Sequence, residues 1–268
     1  MFEWTEERVS FMADACERTD FHEKLAALLS PYLKKTDSVC DAGCGLGYLS
    51  LALSPLVGHV TAAERDDRAL DVLRRQLARR HVRNVTPLCT DVLAYTPSEP
   101  FDAMVFCFFG SMEEIVAAAR RQCRGTVLAI VRDDTCHRFS GAPREPGRHS
   151  FESACGYLER QGIPYTSRRM ALDFPQPFRT REDARRFMAL YGRGDAAEAL
   201  TTSLVSTGDP EFPWQLPGVR RFGLIVLNWK KEKAHEQERE TAAGTGTGTG
   251  HEPEPVRLRP EAAAGRSG

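Results

Sequence analysis

The stretch Val39-Cys40-Asp41-Ala42-Gly43-Cys44-Gly45-Leu46-Gly47 limits what this chain can fold into more than any other. A short apolar run from Ser38 to Ala42 reads as a strand. It enters a turn with glycines at alternate positions, and Tyr48-Leu49-Ser50 opens an apolar helical pattern directly behind it. A strand that feeds a glycine turn and then a helix start aims backbone N–H groups at a ligand, and glycine lets that ligand approach the backbone closely. A glycine-rich turn with no ligand stays open as the plainer alternative, because short glycine motifs recur by chance.

The spacing narrows the ligand. The dinucleotide fingerprint is G-x-G-x-x-G, whereas here the glycines run G-x-G-x-G and Tyr48 stands where the third fingerprint glycine belongs. That argues against NAD. Asp41, at the strand tip, carries a charge that repels a pyrophosphate and attracts an ammonium or sulfonium, so the ligand expected at this end is cationic. The stretch resembles motif I of the class I S-adenosylmethionine-dependent methyltransferases, whose acidic-x-Gly-x-Gly-x-Gly signature is matched by Asp41, Gly43, Gly45 and Gly47. The resemblance implies S-adenosylmethionine as cofactor. It also implies a doubly wound α/β fold, a seven-stranded sheet with an antiparallel last strand.

With 268 residues, 41% of them hydrophobic, the chain has material for one substantial core. A formal net charge of -1 does not mark a phosphate-tracking surface, so nucleic acid is unsupported as a partner and a small-molecule acceptor is favoured. The opening residues Met1-Phe2-Glu3-Trp4-Thr5-Glu6-Glu7 are acidic and lead into no apolar run, so no signal peptide is expected. No apolar stretch is long enough to span a bilayer, and the cytoplasm is the default compartment. The cysteines at 16, 40, 44, 89, 107, 123, 136 and 155 form no CxxC pair and read as reduced core thiols. Cys40 and Cys44 begin an iron-sulfur spacing that Gly47 breaks, so no metal is expected.

Residues 1–36 read as two leading helices. One carries Val9, Met12, Ala13 and Cys16; the second, capped by Asp20, runs through Leu25, Leu28, Leu29 and Leu33. In the family such helices often close over the methyl donor, which makes Trp4, Arg8, Phe11 and His22 candidates for the site. Packing or solvated helix positions are the preferred reading for all four.

The methyltransferase-like part is expected over 37–229. Tyr48 to Leu53 and Leu56 form the first packing helix, ended by Pro55-Leu56-Val57-Gly58, His59 to Glu64 the second strand, and Asp66 caps a helix with Leu70, Leu73 and Leu77 on one face. Glu64 follows Asp41 by 23 residues, near the offset of about 20 at which a carboxylate meets ribose hydroxyls in doubly wound nucleoside sites. Val85 to Cys89 is a third strand, placed at an edge by Pro87. Asp91 after it resembles the family's adenine-contacting acid, with the backbone of Val92 beside it. Phe101 to Phe108 is nearly continuously apolar, as a strand covered on both faces is, and Ser111 to Glu114 forms a capping box. The tip Cys107-Phe108-Phe109-Gly110 then falls in the crevice beyond the strand ends. Cys107 is a cofactor-binding candidate, and Phe108 and Phe109 are walls for an apolar or flat acceptor or, equally, core aromatics. The family's nitrogen-methylating branch often carries (Asp/Asn/Ser)-Pro-Pro-aromatic here; this chain has Cys-Phe-Phe-Gly.

Gly125 to Val131 reads as strand five, and residues 132–149 as a long loop containing Asp134, Cys136 and His137. A helix begins at Ser150 and stops at Gly162; strand six runs from Pro164 to Phe174. Residues 175–218 form an insertion before strand seven, Arg221 to Leu227, with helices expected from Thr180 to Gly192 and from Ala196 to Val205. Insertions at this place in the family commonly cap the substrate, which makes Phe178, Arg179, Tyr191, Phe212 and Trp214 specificity candidates, a purely structural role being the equal alternative. From Lys230 charge and Gly-Thr repetition take over, and 230–268 is expected to be a disordered tail. The function expected is methyl transfer from S-adenosylmethionine. A non-catalytic S-adenosylmethionine binder and a nucleotide-dependent oxidoreductase are the alternatives. No convincing general base is visible; His22, His137 and Asp134 are the candidates.

Overall fold

The computed structural model describes residues 3–133, 139, 147, 149–192 and 202–229. Asp134, Cys136, His137 and the expected tail 230–268 lie outside the described residues.

Helix α1 (Glu6–Glu17) opens at Thr5, whose Oγ1 accepts the Arg8 N–H at 3.3 Å. Helix α2 (Phe21–Leu29) follows. Asp20 stands at its N-cap position without capping it, and pairs instead with Lys24 at 2.9 Å. The helix stops short of Leu33, turning into a 3₁₀ segment over Ser30–Tyr32. Pro31 has no N–H to donate to the Ala27 carbonyl, and the Ser30 hydroxyl donates there instead at 2.8 Å.

Strands and helices then alternate: β1 (Ser38–Ala42), α3 (Tyr48–Leu53), β2 (His59–Glu64), α4 (Asp67–Arg79), β3 (Val85–Cys89), β4 (Phe101–Cys107), α5 (Met112–Gln122), β5 (Cys123–Arg132), α6 (Phe151–Gln161) and β6 (Thr166–Asp173). The insertion supplies β7 (Gln176–Phe178), α7 (Arg181–Tyr191), β8 (Val205–Ser206) and β9 (Trp214–Leu216) before β10 (Val219–Asn228). The main sheet has seven strands in the order β3-β2-β1-β4-β5-β10-β6. Strands β1 to β5 are parallel, and β10 runs antiparallel to both β5 and β6. This is the expected fold, with Pro87 on the edge strand β3. The order in which strands are added switches from one side of β1 to the other between β1 and β4, which opens a crevice beyond the carboxyl ends of those strands.

Both faces of the sheet are covered, which is why β1 and β4 read as apolar runs. Leu25, Leu29, Leu53, Leu70 and Leu73 from α2 to α4 pack on Val39, Val60, Val105 and Leu224. On the other face Ile115 and Leu158 from α5 and α6 pack on Cys40, Met104 and Val127. Helix α5 carries the complete capping box, Ser111 with Glu114, and Gly162 closes α6 in the left-handed conformation. A methyl group added at Gly156, inside α6, meets only the Arg160 guanidinium, at 3.2 Å. Gly156→Ala is therefore expected to raise stability by about 0.5–1 kcal/mol in urea denaturation.

The insertion departs from a purely helical reading. Alongside α7 it forms a three-stranded antiparallel sheet, β7-β9-β8. The expected second helix falls largely on 193–201, outside the described residues, and its expected end, Val205, is strand, paired with Gln215. Phe11 of α1 meets Phe178 and Phe187 edge-on at 6.1 and 5.3 Å, so the core of the insertion is built against α1. Arg18 and Arg179 each lie 4.3 Å from the Phe212 ring centre. Arg179 is in turn bound bidentately to Asp14, at 2.6 and 3.0 Å.

Candidate active site

Leaving β1, the chain passes through Gly43, Gly45 and Gly47 with φ of +69°, +55° and +76°, a left-handed backbone that side chains disfavour. The N–H groups of Gly43 and Cys44 donate to the Ala63 carbonyl at 2.8 and 3.0 Å, clamping the turn to β2. The Gly45 N–H donates to Glu64 Oε2 at 3.1 Å. The other oxygen, Oε1, accepts the N–H groups of Arg65 and Asp66 at 2.9 and 3.1 Å. Three backbone donors thus fix the carboxylate at the tip of β2 against the turn.

What lies against the glycines differs along the turn. A methyl group on Gly47 falls 2.6 Å from buried Leu73, so this glycine serves the packing of α4. One on Gly43 falls 2.4 Å from the Phe109 ring, and one on Gly45 falls 2.9 Å from the Trp4 ring. Phe109 and Trp4 are only partly buried and arrive from outside the turn, one after β4 and one before α1. The bend is thus covered by two partly buried aromatic side chains.

Asp41 lies beneath the turn, 1% exposed, with its Oδ2 accepting the Ser50 hydroxyl at 2.6 Å. Burial, opposed by that hydrogen bond and reinforced by the Glu64 charge, pushes its carboxyl up to about 6. Asp91, at the tip of β3, is exposed and accepts the Leu93 N–H at 3.0 Å. Val92 is buried, and its carbonyl takes the Gln122 side-chain amide at 2.7 Å. Asp41, Glu64 and Asp91 therefore stand at or just beyond three adjacent strand tips.

Cys107 ends β4. Burial, with Asp41 adding to it, pushes its thiol up to about 12, so it stays protonated at neutral pH. Strand β4 was expected to reach Phe108 but stops one residue earlier, because Phe108 turns left-handed with φ +55°. A conformation of this kind costs about 1–2 kcal/mol outside glycine. The Phe108 N–H donates to the Ile130 carbonyl at 2.8 Å, its ring stands edge-on to Phe222 at 6.1 Å, and the Arg220 guanidinium lies 4.2 Å from its centre. Reading the sequence does not single out Arg220 as a neighbour of Phe108.

His22 packs among Phe21, Phe174 and Tyr48, with Nδ1 buried and lacking a hydrogen-bond partner. Burial, and secondarily the Arg220 charge, pushes its imidazole down to about 3. Of the other leading-helix candidates, Trp4 lies on the turn, Arg8 donates to the Glu3 carbonyl at 2.9 Å and Phe11 joins the core of the insertion. Phe178, Tyr191 and Trp214 pack in that same cluster, with Arg181 4.0 Å over the Trp214 ring. Phe108 and Phe109 pack in the two clusters of the main sheet. A cleft of about 560 Å³ between α1 and the insertion is lined by Phe11, Phe178, Glu6, Glu7 and Arg186, apart from the glycine turn. Among the described residues no three His, Cys, Asp or Glu side chains gather as a metal site does, and no helix is long and apolar enough to cross a membrane.

Residues 39–132 match the family described as "Methyltransferase domain", a span from β1 to the end of β5. No curated protein matches the chain. Among solved structures, the YcgJ protein of Bacillus subtilis is 15% identical, with a TM-score of 0.50 over 78% of this chain and 98% of that one. A Bacillus halodurans protein assigned as a methyltransferase is 14% identical, with a TM-score of 0.50 over 77% of this chain and 98% of that one. These likenesses speak to the fold, and the family match covers the glycine turn and the three acidic strand tips. Residues 39–132 thus form a methyltransferase domain, set in the seven-stranded fold described above.

Proposed function

We propose that this enzyme methylates a small-molecule acceptor seated against Phe108 and Phe109, with the donor held by Asp41, Gly43, Gly45, Gly47, Glu64, Asp91, Val92 and Cys107. The observation that carries the reading is the left-handed turn whose Gly45 N–H is tied to Glu64. The residues fit such a donor. The atoms nearest the faces of Gly43 and Gly45 belong to two aromatic rings, and carboxylates stand at the neighbouring strand tips. Trp4 and Phe109 would swing to become walls of the donor pocket. When bound, S-adenosylmethionine supplies a methyl group already activated on a sulfonium. The protein's task is then orientation, for which effective molarities of about 10⁵–10⁸ M are attainable without a dedicated acid or base. His22 is neutral at physiological pH and so adds no positive charge beside a cationic donor. The free thiols of Cys16, Cys40, Cys44, Cys89, Cys107, Cys123 and Cys155 suit a reducing, cytoplasmic compartment.

Glu64→Ala is expected to weaken S-adenosylmethionine binding by about 1–2 kcal/mol in calorimetry, the scale of a lost charged hydrogen bond. The reaction itself is tested with methyl-labelled donor and fractionated small-molecule extract. Label is expected in a low-molecular-weight product. Donor binding without transfer to any fraction would instead support a sensor, and label entering only RNA or protein would overturn the small-molecule reading.

A further inference from the structure

Strand β6 ends the main sheet on one side: it pairs with β10, and among the described residues no strand lies beyond it. It is eight residues long and mostly exposed, with only Met170 and Leu172 half-buried. A long exposed edge offers its N–H and C=O groups to another strand, and proteins commonly deter such pairing with charge or proline.

Two hydrogen bonds fix which groups of this edge point outward. The Phe174 N–H, one residue past β6, donates to the Gly218 carbonyl ahead of β10 at 2.7 Å. The Arg221 carbonyl faces the other way and accepts the Asp133 N–H at 3.2 Å. Along an antiparallel strand, residues bond alternately to one side and the other. Leu172, opposite Arg220, and Met170, opposite Phe222, therefore turn to β10 as Phe174 does. The N–H and C=O groups of Ser167, Arg169, Ala171 and Asp173 point away from the sheet.

The sequence of this edge is complementary to itself. A two-fold axis through Ala171, perpendicular to the sheet, lays Arg169-Met170-Ala171-Leu172-Asp173 antiparallel to the same segment of a second copy. Arg169 then stands opposite Asp173, Met170 opposite Leu172, and Ala171 opposite its own counterpart. Residues 169, 171 and 173 are those whose backbone points outward, so each of these three pairs exchanges both N–H···O bonds. The next outward residue, Ser167, would meet Pro175, which has no N–H, and the ladder stops there. Charge selects this axis over its neighbours. Moved to Met170 it sets the two Arg169 side chains on a diagonal, and moved to Leu172 it does the same to the two Asp173 carboxylates; like charges so placed repel. Arg169 already binds Asp133 at 2.8 Å and Glu152 at 3.5 Å, yet its side chain is 59% exposed and a guanidinium has five N–H donors. On the opposite face Met170 and Leu172 already pack against the main core, which the pairing would extend.

We infer that two copies of this chain associate through β6, antiparallel about Ala171, so that their seven-stranded sheets run on as one. The inference is independent of the methyltransferase reading. The donor turn follows β1, beyond β10, β5 and β4, and stays open in the pair.

The test is sedimentation of the full chain over a range of concentrations, with hydrogen exchange to locate the contact. A dimer is expected to form as concentration rises through the micromolar range, with amide protection of residues 166–173 rising alongside it. Ala171→Pro removes an outward N–H, which an edge strand tolerates, and is expected to raise the dissociation constant about tenfold or more. Asp173→Arg sets arginine opposite Arg169 and is expected to do the same, whether or not the proline variant folds. Thermal melts identify variants that fold as the parent does. A chain that stays monomeric to millimolar concentration would overturn the inference. So would a dimer untouched by Asp173→Arg, or protection rising elsewhere and not at β6.

Discussion

Calorimetry on a Gly45→Val chain is expected to show no S-adenosylmethionine binding at concentrations that saturate the unmodified protein, a loss of about a hundredfold or more. Gly45 sits at φ +55°, where a β-branched residue is a steric outlier. The turn must relax, and the relaxed N–H no longer reaches Glu64, which it meets at 3.1 Å in the native chain. Both supports of the proposed donor site fail together. The sheet is expected to survive, because the new side chain presses on Trp4, a partly exposed ring before α1, and leaves the buried packing of Leu73 against Gly47 untouched. A cooperative melt with no binding heat is therefore the expected pair of results. Unchanged affinity would remove the donor from this turn.

Asp41→Asn is expected to stabilise the chain without donor at about pH 7.5, by on the order of 3 kcal/mol. The carboxyl has its pKa raised from 3.8 to about 6. Between those values the folded chain holds a proton that the unfolded chain has released, so stability is full below 3.8 and falls as pH rises to 6. Asparagine still accepts the Ser50 hydroxyl and carries no charge to bury, so it escapes this cost. His22 has the opposite sign. Its pKa is lowered from 6.5 to about 3, so below 6.5 the unfolded chain takes up a proton that the folded chain refuses, and stability falls on acidification. In the unmodified protein the two slopes partly cancel between about pH 4 and 6. Asp41→Asn should expose the acid-labile slope of His22 in urea denaturation, with the gap between the two proteins closing towards pH 4. A variant less stable than its parent at neutral pH would show that the Asp41 carboxylate is not penalised by burial.

Local patterns made much of the fold legible. Ser38–Ala42, His59–Glu64 and Val85–Cys89 have the bounds that apolar runs indicate, because each is a short element whose burial pattern is its own, while the helix from Tyr48 ends at Leu53, short of Leu56. The insertion was less legible. Val205 and Ser206 become strand by pairing with residues near Trp214, and that pairing is absent from the local pattern. The site divides the same way. Motif spacing pointed to the glycines and to an acid at Glu64, but not to the carboxylate's hold on the Gly45 N–H. Nor does the sequence around Phe108 announce a left-handed residue or its stacking on Arg220, which arrives through the register of an antiparallel strand more than a hundred residues later.

The clamp on Phe212 has a mechanical consequence. Arg18 and Arg179 grip that ring from α1 and from the insertion, and the Gln176 side-chain amide donates to the Phe11 carbonyl at 2.9 Å, so helix and insertion are riveted together. Lifting Trp4 by tilting α1 would drag this whole arm with it. Thr5, still in extended conformation ahead of the first helical turn, offers a lighter pivot. The cover over Gly45 thus hangs on the residues ahead of α1, apart from the riveted arm.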